Sequence, residues 1–103
     1  MIDRKKVHPD YFQAIIQLRP ASDELVDFVL SAIEKRNDVW ISKQKVLKSG
    51  VDLYISDQKF ARSLGSGLKK KFKNGVLKMS RSLYGVDRMS SKLIYRVTVC
   101  FRL

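Results

Sequence analysis

Residues 48–57 read Lys48-Ser49-Gly50-Val51-Asp52-Leu53-Tyr54-Ile55-Ser56-Asp57, and the reading of the whole chain turns on them. Val51, Leu53 and Ile55 point one way while Asp52, Tyr54 and Ser56 point the other. That is the period-two alternation of a strand with one buried face. Lys48-Ser49-Gly50 supplies turn chemistry, with a glycine free to take a positive φ. The run before it, residues 40–47, then becomes the partner strand of a hairpin, although its alternation is imperfect. Ser56-Asp57 reads as a helix start, because a short side-chain oxygen can accept from the unpaired N–H groups of a first turn.

The helix that opens at Asp57 continues to Asn74-Gly75, a C-terminal stop. Its inner face is expected at Phe60, Ala61, Leu64, Leu68 and Phe72. Gly65 and Gly67 each weaken a helix by about 1 kcal/mol relative to alanine, which points to close packing as their purpose. Residues 76–84 and 93–103 read as the last two strands. In the second of these, Leu93, Tyr95, Val97, Val99, Phe101 and Leu103 share a face, and Arg96, Thr98 and Arg102 take the other. Upstream, residues 12–19 form a first strand stopped by Pro20. Ser22 caps a helix over residues 23–36, with Asp23 and Glu24 at the positive end of its dipole and Leu25, Val26, Val29 and Ile33 at helical spacing.

The order β-α-β-β-α-β-β predicts an α+β fold: a two-layer sandwich, an antiparallel sheet with two helices on one face. The other face of such a sheet is left to solvent or a partner. Residues 1–10 are polar and charged and read as a linker or flexible N-terminus, leaving 11–103 as a single α+β domain. The length of 103 residues suits one core, since domains typically run about 100–150 residues. No run approaches the roughly 18 apolar residues of a membrane helix, so no membrane partner is expected. A single cysteine, Cys100, excludes an internal disulfide and a cysteine-cluster metal site within this sequence. A cytoplasmic, reducing compartment is the expectation.

Charge is the informative quantity. Lys and Arg number 21 against 10 Asp and Glu, for a net charge of +11. Residues 21–40 hold five acids against two cations, whereas residues 57–96 hold eleven cations against two acids. A segregated basic excess of this size is the footprint of a polyanion-binding surface. On helical spacing, Lys59, Arg62, Lys69, Lys70 and Lys73 fall on one side, opposite Phe60, Leu64 and Leu68. Lysine suits backbone phosphates more than base edges. The final hairpin adds Lys78, Arg81, Arg88, Lys92 and Arg96, with Tyr84 near its tip, where an aromatic among cations can stack on an unpaired base. The expected RNA-binding set is therefore Lys59, Arg62, Lys69, Lys70, Lys71, Lys73, Lys78, Arg81, Tyr84, Arg88, Lys92 and Arg96. Trp40 and Tyr54 are expected to lie across from each other on the first hairpin, as packing.

Catalysis is hard to assemble from these residues. The one histidine, His8, falls in the expected linker, away from any scaffold that would hold it against a substrate. Cys100 lies mid-strand between Val99 and Phe101, where cysteine serves as a small hydrophobe. The acids of the first helix fit no oxygen-ligand loop and read as a solvated face. Gly65-Ser66-Gly67-Leu68-Lys69-Lys70 lies inside a helical pattern and lacks the spacing of a phosphate loop. No catalytic residue, metal or cofactor is expected, and the chain reads as a non-enzyme.

Four blocks carry a resemblance. They are His8-Pro9-Asp10-Tyr11-Phe12-Gln13-Ala14-Ile15-Ile16-Gln17-Leu18-Arg19, Gly50-Val51-Asp52-Leu53-Tyr54-Ile55-Ser56, Ser80-Arg81-Ser82-Leu83-Tyr84-Gly85-Val86-Asp87-Arg88 and Leu93-Ile94-Tyr95-Arg96-Val97-Thr98-Val99. Over residues 8–103 the chain resembles the NMD-type adaptors of the large ribosomal subunit, which serve nuclear export in eukaryotes and have archaeal members. The resemblance implies a modular protein with cysteine-pair zinc modules, a ribosomal-protein-like domain and a translation-factor-like barrel; this sequence matches the ribosomal-protein-like domain. The cysteines of the zinc modules are not among its residues, so zinc binding is not carried over, and neither is export. What the resemblance does imply is association with rRNA or the large ribosomal subunit, with ribosomal proteins as further contacts. The function expected is a non-catalytic RNA- and ribosome-binding domain acting through the basic helix and hairpin. The alternative is a protein-interaction module that docks on an acidic ribosomal or export partner through the bare sheet face.

Overall fold

Alternating residues of three strands become three rows of buried side chains across a five-stranded sheet. The computed structural model describes residues 12–86 and 93–103. Its elements are β1 (Ala14–Arg19), α1 (Asp23–Glu34), β2 (Ile41–Leu47), β3 (Gly50–Ile55), α2 (Gln58–Lys71), β4 (Val76–Val86) and β5 (Leu93–Arg102). Strand order in the sheet is β2-β3-β1-β5-β4. The rows run Ile55–Ala14–Val97, Leu53–Ile16–Val99 and Val51–Leu18–Phe101, and every member is buried. Both helices close over this one face: Leu25, Val29 and Ile33 of α1 and Phe60, Ala61, Leu64 and Leu68 of α2 join the same cluster.

The α+β class and the element order are as the sequence predicts, but the sheet is mixed rather than wholly antiparallel. β1 lies at its centre, antiparallel to β3 and parallel to β5. Alternation identifies a strand and its buried face, and a tight turn fixes the neighbour it joins. Neither carries information on two strands as far apart in sequence as β1 and β5, whose pairing is decided by assembly around the core. The expected linker over residues 1–10 and the connection over residues 87–92 lie outside the described residues.

Local chemistry explains the helix limits. The Ser22 hydroxyl accepts from the Leu25 N–H, and the Asp57 carboxylate accepts from Lys59 and Phe60 N–H. α2 stops at Lys71 rather than continuing to Asn74. Phe72 leaves helical angles (φ −112°, ψ 75°) and places its ring 6.1 Å from that of Phe28 and 6.2 Å from that of Phe101. Aromatic burial outweighs one further turn of helix, and Lys73 falls in the turn before β4. Gly65 lets α2 pack close to the sheet, since a Cβ there would sit 2.8 Å from Val99 Cγ1. Gly50 takes a positive φ of 159°. That positive φ suits glycine, as the turn reading expects, and space demands it too, because a Cβ would run into the Leu18 carbonyl oxygen.

Candidate nucleic-acid interface

α2 buries Phe60, Leu64 and Leu68 against the sheet, which turns Lys59, Arg62, Lys69 and Lys70 outward, all four exposed. They do not behave alike. Lys69 Nζ donates to the carbonyl oxygens of Lys73 at 3.0 Å and Gly75 at 2.6 Å, so this ammonium ties down the turn that follows the helix. Lys71 lies 5.2 Å from the Phe28 ring and 5.8 Å from that of Phe72, on the side of α1. Lys70 and Lys73, both exposed, carry their charge into solvent. Arg62 donates to Gln58 Oε1 at 3.3 Å. The run of lysines at 69–73 is therefore two outward charges beside two that also brace the fold.

The final hairpin divides its cations between two faces. Arg81 pairs with Val97 in register and so lies on the helix side. Its guanidinium stacks 4.4 Å above the Tyr95 ring, and it lines a hollow with Arg62, Met79, Ser80 and Val97. Helix and hairpin are thus brought together at Arg62 and Arg81. Lys78 is opposite Cys100 and Arg96 opposite Ser82, which puts both on the open side. Arg88 and Lys92 lie outside the described residues, and so does the side chain of Tyr84.

The open face is basic as well, through residues of the first hairpin that the charge pattern of the second half does not single out. One row across it reads Lys45–Asp52–Gln17–Cys100–Lys78 and the next Lys43–Tyr54–Ile15–Thr98–Ser80. Arg102 follows Cys100 on the same side. Asp52, the acid of these rows, is held by Arg19 at 2.7 Å, with side chains only 11% and 13% exposed. Tyr54 faces Lys43, not Trp40; Trp40 instead exchanges hydrogen bonds with Ser56 at 3.0 and 3.1 Å. The ring of Phe12 meets Tyr54 edge to face, centroids 4.8 Å apart at 84°. Arg96 stacks 3.8 Å from the Phe12 ring, and Lys43 Nζ lies 5.5 Å from that of Tyr54. A hollow of about 380 Å³ opens among Phe12, Ser42, Lys43 and Tyr54. The signal for Lys43 and Lys45 was their two-residue spacing, obscured by an irregularity in β2 between Ile41 and Lys43.

The acids of α1 occupy the opposite flank. Asp23, Glu24, Asp27 and Glu34 are exposed, and a groove of about 830 Å³ between the helices combines Glu24 and Asp27 with Phe28, Phe60, Arg36 and Lys71. Arg36 holds Asp38 through two bonds at 3.0 and 3.1 Å. That hydrogen bonding lowers the Asp38 carboxyl below its ordinary range and raises the guanidinium. Cys100 is free and half-buried on the open face.

A scan for known families matches the model of the NMD3 second domain to residues 11–103. No curated protein matches the chain. The match takes in both helices and every strand of the sheet, and the chain therefore belongs to the NMD3 family, in the region formed by that second domain.

Proposed function

We propose that this chain is a non-catalytic, ribosome-associated domain that binds RNA of the large subunit through the cations of α2 and the β4–β5 hairpin. NMD3 membership supports association with the large subunit in general. The observation that carries the RNA reading is the meeting of Arg62 and Arg81 at one hollow, flanked by the exposed Lys59, Lys70 and Lys73. Among the described residues the ion pairs are Arg19–Asp52 and Arg36–Asp38, so no described carboxylate is ion-paired with the cations of this track. Such cations on a rigid helix and strand attract a polyanion and release its counterions on contact. The cytoplasm is the compartment proposed, with ribosomal proteins beside the RNA as further contacts.

The test is the salt dependence of binding to large-subunit rRNA. Replacing Arg62, Lys70 and Arg81 by alanine should lower affinity for every RNA sequence. It should also reduce the slope of log affinity against log salt by about 0.7–0.9 for each phosphate no longer neutralised. Lys69 is left intact because it braces the turn. Charge reversal at Asp23, Glu24 and Asp27 is the control and should not weaken binding. A folded triple variant with unchanged affinity and slope refutes the proposal.

A further inference from the structure

We infer that the open face of the sheet carries a separate site for one unpaired base of single-stranded RNA, at Phe12, Ser42, Lys43 and Tyr54. The inference rests on the RNA reading above and adds to it a contact with the base itself, on the face that α2 does not touch.

A sheet face left bare by its helices is usually polar. Here it holds two half-buried aromatic rings beside a hollow of about 380 Å³. The rings stand at 84°, so one can form a floor and the other a wall, a shape that accepts a planar group. Each ring has a cation over it, Arg96 at 3.8 Å and Lys43 at 5.5 Å. These cations bring positive charge to the rings, and unpaired bases stack on aromatic rings. Ser42 Oγ, 3.4 Å from the Tyr54 carbonyl oxygen, brings a polar atom to the rim for a base edge. Lys45, Lys78 and Arg102 spread over the same face at register positions along the strands, where they can follow the phosphates on either side of the base. Asp52 does not oppose this field, because Arg19 already holds it. Packing alone accounts for two rings in contact, but not for a concentration of cations around an open hollow.

The experiment compares two dodecamers of equal charge, oligouridylate and an abasic ribose-phosphate strand, by fluorescence anisotropy across a salt series. The wild-type chain should bind the base-bearing strand roughly 5- to 100-fold more tightly. Tyr54→Leu should remove that preference with the salt slope unchanged, while Tyr54→Phe keeps it. Photocrosslinking of the wild-type protein with 5-iodouridine in the dodecamer should label Tyr54 or Phe12, a readout independent of any variant's folding. Equal affinity for the two strands, or crosslinks confined to α2 and the hairpin, overturns the base site and leaves the backbone reading standing. Absence of salt-dependent binding to either strand overturns both. Chemical-shift changes at Lys43, Tyr54 and Arg96 with oligoglutamate but not with oligouridylate would assign this face to an acidic peptide instead.

Discussion

Replacing Gly65 by alanine sets two effects of opposite sign against each other. A glycine in a helix interior costs about 1 kcal/mol relative to alanine, so the local backbone gains that much. Against it, the new Cβ would lie 2.8 Å from Val99 Cγ1, 2.9 Å from Met79 Cε and 3.3 Å from Leu77 Cδ1. Met79 ends in a flexible, exposed side chain that can swing aside. Val99 cannot: it is fully buried, β-branched, and held in the middle row between Ile16 and Met79. α2 must lift instead, drawing Phe60, Ala61, Leu64 and Leu68 away from the sheet with it. Overpacking of this kind costs about 1–3 kcal/mol, so a net destabilisation of about 1 kcal/mol is expected. In urea, followed by Trp40 fluorescence and circular dichroism, the midpoint should fall with the slope unchanged. In a domain of this size the melting temperature should fall by about 4–8 °C. Gly67→Ala is the internal control. Its Cβ meets only Phe28, at 3.3 and 3.7 Å, so the helical gain should leave stability unchanged or higher. In a Val99→Ala background the cost of Gly65→Ala should shrink by about 1 kcal/mol, a coupling that a double-mutant cycle reads directly. Full stability in Gly65→Ala, or the same destabilisation with and without Val99, would refute the reasoning.

Asp52→Asn leaves the Arg19 guanidinium without its carboxylate in a largely buried position and should cost about 2 kcal/mol in urea denaturation. An unchanged midpoint would mean the pair contributes nothing. Lys69→Ala removes two bonds to backbone carbonyls and should cost about 1 kcal/mol, whereas Lys70→Ala should stay within about 0.5 kcal/mol of wild type; thermal melts of the two distinguish them. Arg36→Ala should raise the Asp38 pKa toward its ordinary value, observed by NMR titration of the carboxyl carbon. Because Asp38 is lowered in the folded protein, its stabilising contribution is present at neutral pH and lost as pH falls through that depressed value. The Arg36→Ala variant should show no such loss on the acid limb.

Alternation was legible wherever a strand had one buried side. Val51, Leu53 and Ile55, and Val97, Val99 and Phe101, lie in the core at the spacing their sequence dictates. β2 was harder to read because its irregularity interrupts the period. The end of α2 was missed for a different reason: its lysine-rich last turn keeps helical character, while the partners that draw Phe72 away, Phe28 and Phe101, are distant in sequence. Of the expected RNA-binding residues, Lys59, Arg62, Lys69 and Lys70 lie on the exposed side of α2, whereas Lys71 turns toward α1 and Lys73 lies beyond the helix end. The hairpin set divides, and the signal was present, since Lys78 and Arg81 are three apart and a strand turns such residues to opposite faces. Tyr54 could be assigned a face from its own strand. Its packing against Phe12 could not be read there, because that ring enters just ahead of β1, a strand distant in sequence.

The central position of β1 has a consequence for the order in which the domain can form. During synthesis β1 emerges first, yet one of its two edges is completed only by β5, the last element of the domain. Until then Ala14, Ile16 and Leu18 lack the neighbours Val97, Val99 and Phe101, and a row of backbone donors and acceptors at the centre of the sheet stays unpaired. Closing that edge joins the two ends of the domain, a long-range pairing that is slow to make. A nascent chain halted before residue 93 therefore presents an open strand edge beside an uncovered apolar row, a species prone to pair with another copy or to engage a chaperone.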